Sequence, residues 1–287
     1  MAKKRPFNKI LIKGPLILIK ISILIAVSGG PDSLALSALA KAYSYKKKCK
    51  IYYVLVDHNL RKGSTKEALK VKKLLKNYKI NLHILKNKKL INKNIQSQAR
   101  KIRYELLNHF CEKKKITTIL TAHNLEDQVE TFFIRLSRGS GLQGLSSMRS
   151  VSKLSRKVNL FRPLLEFKKD QLIKISRIIF GKYYIDPTNK NIKYLRTRIR
   201  NLRKSLETSG INYDQIFRSI KNLSSSRDTL ELYFNKIYQD VSKIRKNKII
   251  INLKKFNNLN QEIKMMVVQQ SIKNLAKPYY LPRSKNT

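Results

Sequence analysis

The stretch ILIAVSGGPDSLALSALA, residues 23–40, joins an apolar run to a small-residue helix through the turn Ser-Gly-Gly-Pro-Asp-Ser. Gly29 and Gly30 let the backbone take positive φ and approach a ligand closely, and Pro31 suits the first helical position. A helix that begins here presents free N–H groups and the positive end of its dipole, which favour a phosphate. The turn therefore predicts a phosphate-binding loop. A plain strand–helix turn with capping serines is the alternative.

The polar side chains of this turn refine the prediction. Ser28 and Ser33 add hydroxyl donors, whereas Asp32 suits a phosphate site only if it acts through Mg²⁺. The string G-x-x-x-x-G-K-[ST] does not occur in the chain. The string GSGLQG at 139–144 satisfies G-x-G-x-x-G, but it follows a predicted helix rather than a strand and does not predict a dinucleotide site.

Short apolar runs alternate with helical patterns through the first 140 residues. The predicted strands are 21–27, 51–57, 80–85 and 116–122, and the predicted helices are 32–43, 64–78, 95–113 and 125–137. Continuous apolar strands separated by helices indicate an α/β fold with a parallel, doubly wound sheet. The residues that follow each strand should then lie along one edge of that sheet, where ligands bind.

The pattern changes after about residue 150. A short apolar segment at 160–165 precedes a predicted helix at 168–180, a turn-rich loop at 183–191, a long helix near 213–245 and a possible strand at 248–253. We expect two domains: residues 1–205 as the α/β domain, and residues 206–287 as a smaller, basic and mainly helical C-terminal domain.

The charge of the chain is its most unusual bulk property. Among 287 residues, 63 are Lys or Arg and 17 are Asp or Glu, a formal net charge of +46, which predicts a polyanionic partner such as nucleic acid. An AT-biased genome is the alternative source of part of this excess. Cys49 and Cys111 have no C-x-x-C or zinc spacing, which fits a reducing compartment. The run PLILIKISILIAV is too short and too interrupted to span a membrane, so we expect a soluble protein of the cytoplasm or of an organelle matrix.

The string SGGPDS after the first strand resembles the PP-loop of the N-type ATP pyrophosphatases, which have a Rossmann-like fold. Further stretches resemble the short form of the tRNA(Ile)-lysidine synthases in the family's order: VDHNLRKGSTKEA (56–68), QARKIRYELL (98–107), TAHNLEDQVETFFIRLSRGSGLQGL (121–145), RPLL (162–165) and DPTNKNIKYLRTRIRN (186–201). That family uses ATP to activate C2 of the wobble cytidine, position 34, of a CAU-anticodon tRNA(Ile). Free lysine then displaces AMP and gives lysidine. Longer members carry a further C-terminal domain, so this chain belongs to the short form or has lost its end.

The resemblance implies a set of site residues. Asp32, Asp127 and Arg103 would be catalytic, and Asp32 would hold Mg²⁺ with Asp127 as a possible second ligand. Arg100 and Arg103, on the third predicted helix, would contact ATP phosphates or the target nucleotide. An arginine there would stabilise charge on the α-phosphate. The implied ATP-binding residues are Ser28, Gly29, Gly30, Pro31, Asp32, Ser33, Asp57, His58 and Arg100.

The predicted helix near 125–137 carries two stripes. Its core stripe is Leu125, Val129, Phe132, Phe133 and Leu136, and its polar stripe is His123, Asp127 and Glu130. The polar stripe has three interpretations: a solvated face, a divalent-metal site, or a site in which Asp127 and Glu130 bind the lysine substrate. The resemblance favours a functional role, in which the two acids hold a lysine ammonium or Mg²⁺ on the pyrophosphate; we expect Asp127 and Glu130 to bind lysine.

A row of arginines follows in the basic half. Leu195, Ile199, Leu202 and Leu206 form one predicted apolar stripe, and beside it Arg196, Arg200 and Arg203 are predicted to bind the tRNA backbone. The flanking residues Tyr183, Tyr184 and Tyr194 are candidates for stacking on anticodon bases.

Two other functions stay open at this point. A related PP-loop enzyme such as a tRNA 2-thiolase is disfavoured, because sulfur chemistry needs suitably placed cysteines. A degenerate, non-catalytic tRNA-binding protein is disfavoured by the intact phosphate loop.

Overall fold

The computed structural model describes residues 22–60, 63–89, 91, 95–185, 191–246 and 248–276. The strands in these ranges are β1 Ser22–Val27, β2 Lys50–Asp57, β3 Leu82–Lys86, β4 Thr118–Leu120, β5 Val151–Lys153, β6 Asn159–Phe161, β7 Ser242–Ile244 and β8 Ile249–Ile251. The helices are α1 Pro31–Lys47, α2 Ser64–Asn77, α3 Ile95–Lys114, α4 Leu125–Leu136, α5 Leu142–Leu145, α6 Lys169–Phe180, α7 Leu195–Asn201, α8 Arg203–Thr208, α9 Tyr213–Val241, α10 Leu253–Asn257 and α11 Gln261–Ala276.

A six-stranded sheet in the order β3-β2-β1-β4-β6-β5 forms the centre of the first part of the chain. All neighbouring strands run parallel except β5, which pairs antiparallel with β6 at one edge. The predicted α/β fold with a mostly parallel, doubly wound sheet is confirmed. The antiparallel edge strand was not predicted, because a three-residue strand has too few alternations to show a period.

Both faces of this sheet are covered, as the continuous apolar strands require. Ile23, Ile25 and Val27 of β1 point into a core shared with α1, α2 and α6. Leu24 points to the other face, into a core shared with Leu107 and Cys111 of α3. The alternation along β1 therefore divides the apolar side chains between two helical layers.

The strand order places a crevice at the carboxyl ends of β1 and β4. From β1 the chain moves outward through β2 and β3, and it then returns to pair β4 with the opposite side of β1. Such a reversal leaves a gap between the two connections, and ligands of open α/β sheets bind there. Helices α1 and α4 both begin at this edge.

The predicted stripe at 195–206 is not one helix. Leu202 is the C-cap of α7 and the N-cap of α8, and its backbone N–H is shared among carbonyls of the last turn of α7. Because the chain breaks there, Leu202 is exposed instead of lying with Ile199 in the core. Leu136, predicted to face the core from α4, is also exposed.

The chain divides into two compact units. The first consists of Met1–Ser140 with Ser147–Ile220, and the second of Gly141–Ser146 with Lys221–Thr287. The second unit has a small core of Phe234, Tyr238, Ile263 and Val267. Its strands β7 and β8 pair antiparallel; the possible strand at 248–253 corresponds to β8, and β7 was not predicted. The domain boundary near 205 stays a prediction. In the part of the chain described here, no helix has the length and apolarity that crossing a bilayer requires.

Candidate active site

The phosphate-type loop between β1 and α1 is organised around the hydroxyl of Ser33. The backbone N–H groups of Ser28 and Gly29 each donate to Ser33 Oγ at 3.1 Å, and Ser33 Oγ donates to the Gly30 carbonyl at 3.0 Å. Pro31 occupies the first turn of α1, as predicted from the sequence. The buried Ser33 therefore shapes the loop from inside, and its place as an ATP ligand stays a prediction.

The two glycine positions of the loop differ in whether they could accommodate a side chain. Gly29 has φ +85°, and a Cβ added there would lie 2.5 Å from Val71 Cγ2, so a larger residue is excluded on two grounds. The backbone N–H of Tyr184 also donates to the Gly29 carbonyl at 3.0 Å. A Cβ on Gly30 would come no closer than 3.6 Å to its neighbours. Gly29 is thus needed by the protein itself, and Gly30 leaves space beside the start of α1.

Asp32 carries an unsatisfied buried oxygen. Its Oδ1 has no hydrogen-bond partner among the described residues. Burial, together with the nearby Asp127 carboxylate, raises the pKa of Asp32 to about 6, although Lys169 and Asn124 act in the opposite direction. An orphaned buried carboxylate oxygen calls for a ligand. It fits Mg²⁺, which in nucleotide sites is held by one or two carboxylates together with phosphate oxygens.

Asp127 has both of its oxygens engaged, unlike Asp32. Its Oδ2 accepts from the backbone N–H of Asn124 at 3.1 Å, and its own N–H donates to Asn124 Oδ1 at 2.9 Å, which forms the capping box of α4. Its Oδ1 accepts from Arg196 Nη2 at 2.7 Å. A second Mg²⁺ ligand at Asp127 would have to share an oxygen with these donors.

Glu130 joins helix α4 to helix α7. Its Oε2 accepts from Arg196 Nε at 2.5 Å, and its Oε1 accepts from Arg200 Nε at 2.7 Å. Burial lowers the pKa of Arg196, but Asp127 and Glu130 outweigh that effect and raise it above the ordinary value. We call Asp127, Glu130, Arg196 and Arg200 the acid–arginine cluster.

The arginine row and the polar face of α4 thus meet each other. Arg203 continues the pattern: it pairs with Glu207 at 2.8 Å and Glu126 at 3.6 Å, and it lies over the Tyr213 ring at 4.8 Å. The interpretation of the α4 polar face as solvated is wrong, since Glu130 is buried and both Asp127 and Glu130 pair with Arg196. Whether Arg196, Arg200 and Arg203 bind tRNA stays a prediction.

Asp57 at the end of β2 is hydrogen-bonded to the side chains of the first two residues of the next helix. Its carboxylate accepts from Ser64 Oγ at 2.8 Å and Thr65 Oγ1 at 2.6 Å, at the beginning of α2. Burial raises the pKa of Asp57, but these hydrogen bonds outweigh it and lower the pKa below its ordinary value. The bonds account for its buried position without a ligand, and its predicted place in the ATP pocket stays a prediction.

His58 and Arg103 are paired at the same edge. Arg103 Nε lies 3.4 Å from His58 Nε2, to which it donates. Burial, followed by the charge of Arg103, lowers the pKa of His58 to about 4, so the imidazole is neutral at physiological pH. Its Nδ1 is buried without a partner among the described residues.

Several positive charges converge near the end of β4. Burial lowers the pKa of His123 to about 3, and the charges of Arg162, Arg100, Arg196 and Arg103 contribute. Arg100 also lies 5.1 Å from the centre of the Tyr104 ring. An edge with this excess of guanidinium groups attracts anions.

Three residues of the site were missed by interpretation of the sequence. Asn124 reaches both Asp127 and Asp32, Lys169 lies near Asp32, and Arg162 is buried with its Nη1 donating to the Arg149 carbonyl at 2.8 Å. The sequence does contain a signal for Asn124: an asparagine followed three residues later by an acid is typical of a helix N-cap. Tyr184 lies against Gly29 of the loop, and its stacking on RNA bases stays a prediction.

The fold and the loop define a PP-loop domain. Residues 4–206 match the ATP_bind_3 family, described as a PP-loop domain, and the chain belongs to that family. It is 44% identical over 185 residues to the tRNA(Ile)-lysidine synthase of Orientia tsutsugamushi (strain Boryong), covering 63% of this chain and 41% of that one. It is 36% identical over 265 residues to the tRNA(Ile)-lysidine synthase of Wolbachia pipientis wMel, covering 91% of this chain and 61% of that one.

These matches span between two fifths and three fifths of the relatives' own length. Among solved structures, the U34-tRNA thiolase NcsA from Methanococcus maripaludis with its [4Fe-4S] cluster is similar, with a TM-score of 0.59 and 21% identity. The match covers 72% of this chain and 73% of the thiolase. At 21% sequence identity, this similarity shows a shared fold alone.

Proposed function

We propose that this chain ligates free L-lysine to C2 of the wobble cytidine, position 34, of CAU-anticodon tRNA(Ile). The reaction consumes ATP through an adenylated cytidine and yields lysidine, AMP and pyrophosphate. One observation carries the proposal: Asp32 of the phosphate loop and Asp127 of the acid–arginine cluster are close enough for Asp127 to raise the pKa of Asp32. The nearness of these two carboxylates, at the edge where α1 and α4 begin, supports a nucleotide subsite beside a subsite for a charged amino acid.

The loop would hold ATP. Gly30 and the beginning of α1 face the phosphates in this assignment, with Ser28 and Pro31 beside them. Mg²⁺ bound at Asp32 would supply charge neutralisation on the phosphates. Arg100 and Arg103 would stabilise the charge that develops on the α-phosphate when pyrophosphate leaves.

The acid–arginine cluster would hold lysine. Free lysine carries ammonium groups and a carboxylate, and the cluster offers both complementary charges: carboxylates on Asp127 and Glu130, guanidinium groups on Arg196 and Arg200. Because these groups pair with one another, each is held in position before the substrate arrives, and lysine would replace those ion pairs with its own charges. The attacking ε-amine must be neutral, so its proton has to leave before it attacks C2.

The net charge of +46 supports tRNA as the polyanionic partner. Arg196, Arg200 and Arg203 stay candidates for backbone contacts, although their acid partners must share them. We place the protein in the cytoplasm, or in an organelle matrix if the gene is organellar, and we propose no membrane partner.

A tRNA 2-thiolase is the second candidate, because its fold is similar. The cysteines do not support it. Cys49 packs with the core on one face of the sheet and Cys111 lies in the core on the other face. Burial raises the pKa of both thiols, that of Cys111 to about 12, which disfavours reactive thiolates. A non-catalytic tRNA-binding protein is the third candidate, and the orphaned Oδ1 of Asp32 argues against it.

The deciding experiment incubates the full chain with tRNA(Ile) transcript, ATP, Mg²⁺ and isotope-labelled lysine, followed by nucleoside mass spectrometry. We expect a cytidine-plus-lysine nucleoside together with AMP. Asp32→Asn should abolish the product, and Asp240→Asn, which changes an exposed ion pair with Lys255, should not. ATP turnover without label in the tRNA would contradict lysine as the nucleophile. Unchanged ATP binding by Asp32→Asn in Mg²⁺ would favour the non-catalytic alternative.

A further inference from the structure

The hairpin β7–β8, Ser242–Ile251, is the most uniformly basic element of the second unit. Its sequence SKIRKNKIII contains four cations and no acid. The four cations are Lys243, Arg245, Lys246 and Lys248, and all four are exposed.

The register of the hairpin places three of these cations on one face. Lys243 is opposite Ile250, and the backbone N–H of Arg245 donates to the Lys248 carbonyl at 2.8 Å. Residues opposite each other, and residues two apart on a strand, share a face, so Lys243, Arg245 and Lys248 lie together. The other face includes Ser242, which is buried and donates to the Tyr238 carbonyl at 2.6 Å. The basic face therefore points to solvent.

None of these four cations has an acidic partner within the described parts of the chain, and this distinguishes them from Lys255 and from the arginines of α7. Lys255, close by in sequence, pairs with Asp240 at 2.5 Å. Arg196 and Arg200 pair with Glu130. Cations without an internal partner lose no ion pair when they bind an external anion, so no such loss offsets a phosphate contact.

We infer that the basic face of the β7–β8 hairpin binds the phosphodiester backbone of RNA. The inference rests on the proposed function in taking tRNA as that RNA. Ile250 is the apolar residue between the cations of this face, while the exposed Ile244 lies on the opposite face of the hairpin. The basic face therefore offers a single apolar side chain, which is too little for insertion into a lipid headgroup layer. Backbone contacts of this kind give affinity and orientation without reading sequence.

The test replaces Lys243, Arg245 and Lys248 together by Gln in the full chain. The matched control replaces Lys113, Lys114 and Lys115 by Gln, three exposed cations at the end of α3, on the sheet edge away from the phosphate loop. Binding of fluorescently labelled tRNA(Ile) transcript is measured by anisotropy between 50 and 300 mM salt (about the range in which counterion release dominates). Anionic phosphatidylglycerol vesicles are the second probe, and chemical denaturation verifies that both variants fold.

We expect the hairpin variant to bind tRNA roughly 10- to 100-fold more weakly at about 0.1 M salt, with a salt slope smaller by about 2 to 3. The control should stay near wild type. Equal weakening of both variants, or no weakening of the hairpin variant, overturns the inference. Loss of vesicle binding with intact tRNA affinity overturns it in favour of a membrane surface. If wild type forms no lysidine but the hairpin variant still loses tRNA affinity, the proposed function fails and the hairpin inference stands.

Discussion

The arginines of α7 and the cations of the β7–β8 hairpin are both rows of basic residues in the sequence, but their surroundings in the structure differ. Arg196 and Arg200 lie against the buried Glu130, whereas Lys243 and Arg245 face solvent without an acid partner in the described part of the chain. We therefore expect a basic row to bind a polyanion more strongly where no acid of the same protein lies opposite. That acid can come from a distant part of the chain, as Glu130 does.

The largest expected effect on stability belongs to Glu130→Gln. The change leaves Arg196 and Arg200 without their shared counter-charge, and breaking one side of a buried ion pair is strongly destabilising. Because both guanidinium groups are partly exposed, we expect a loss of about 2–3 kcal/mol in the free energy of unfolding. Urea denaturation monitored by circular dichroism measures it.

Glu207→Gln is the matched control, because Glu207 pairs with Arg203 on the surface. Exposed pairs contribute about 0–1 kcal/mol, so the control should lose little. Equal losses in the two variants would remove the distinction between the buried cluster and ordinary surface pairs.

Asp32→Asn tests a third condition, a carboxylate with one buried oxygen that has no hydrogen-bond partner among the described residues. The pKa of Asp32 is about 6 in the folded chain against an ordinary 3.8. The folded chain therefore holds the proton to higher pH than the unfolded chain, and stability falls as pH rises from about 4 to about 6. Asn removes this loss. The shift corresponds to about 3 kcal/mol, and solvent screening of the partly exposed Asp32 reduces it, so the ligand-free variant should be more stable than wild type at pH 7.5 by about 1–2 kcal/mol.

The gain in Asp32→Asn should shrink towards zero as the pH falls towards 4, since wild-type Asp32 is then protonated too. Thermal unfolding of both proteins across this pH range is the measurement. A variant that is less stable than wild type at pH 7.5 would show that Asn124 and Lys169 stabilise the Asp32 carboxylate by more than its burial costs.

Arg200→Gln tests whether an arginine that is paired with Glu130 still contributes to RNA binding. Because Glu130 shares the guanidinium, the salt slope of tRNA binding should fall by less than 0.5, against about 0.7–0.9 for each unshared phosphate contact. Anisotropy titrations at several salt concentrations measure the slope. A fall of one full contact would restore Arg200 to the tRNA interface that the sequence predicts.

The smallest effect is expected for the stability of the hairpin variant. Replacing Lys243, Arg245 and Lys248 by Gln removes no internal ion pair within the described residues, so the free energy of unfolding should stay within about 0.5 kcal/mol of wild type. Urea denaturation measures it beside Glu130→Gln. A loss approaching that of Glu130→Gln would mean that these side chains stabilise the fold.

Prediction from the sequence succeeded where the signal is local. The apolar runs and the Ser-Gly-Gly-Pro-Asp-Ser turn predicted the central strands and the start of α1, because strand burial and helix initiation depend on neighbouring residues. The pairing of Glu130 with Arg196 and Arg200 depends on two helices far apart in the chain, and no periodicity within either helix contains it. The break at Leu202 was missed for a related reason. Apolar residues at helical spacing do not indicate where the backbone hydrogen bonds of one helix end.

The hydrogen bond from Tyr184 to Gly29 has a consequence for the order of folding. The phosphate loop follows the first strand, but one of its backbone partners is made about 150 residues later. During synthesis the ribosome must therefore release most of the first unit before that carbonyl can receive its donor, and such long-range contacts form late. A nascent chain that ends before residue 184 has the strand and the glycines of the loop but not the backbone group that closes over them.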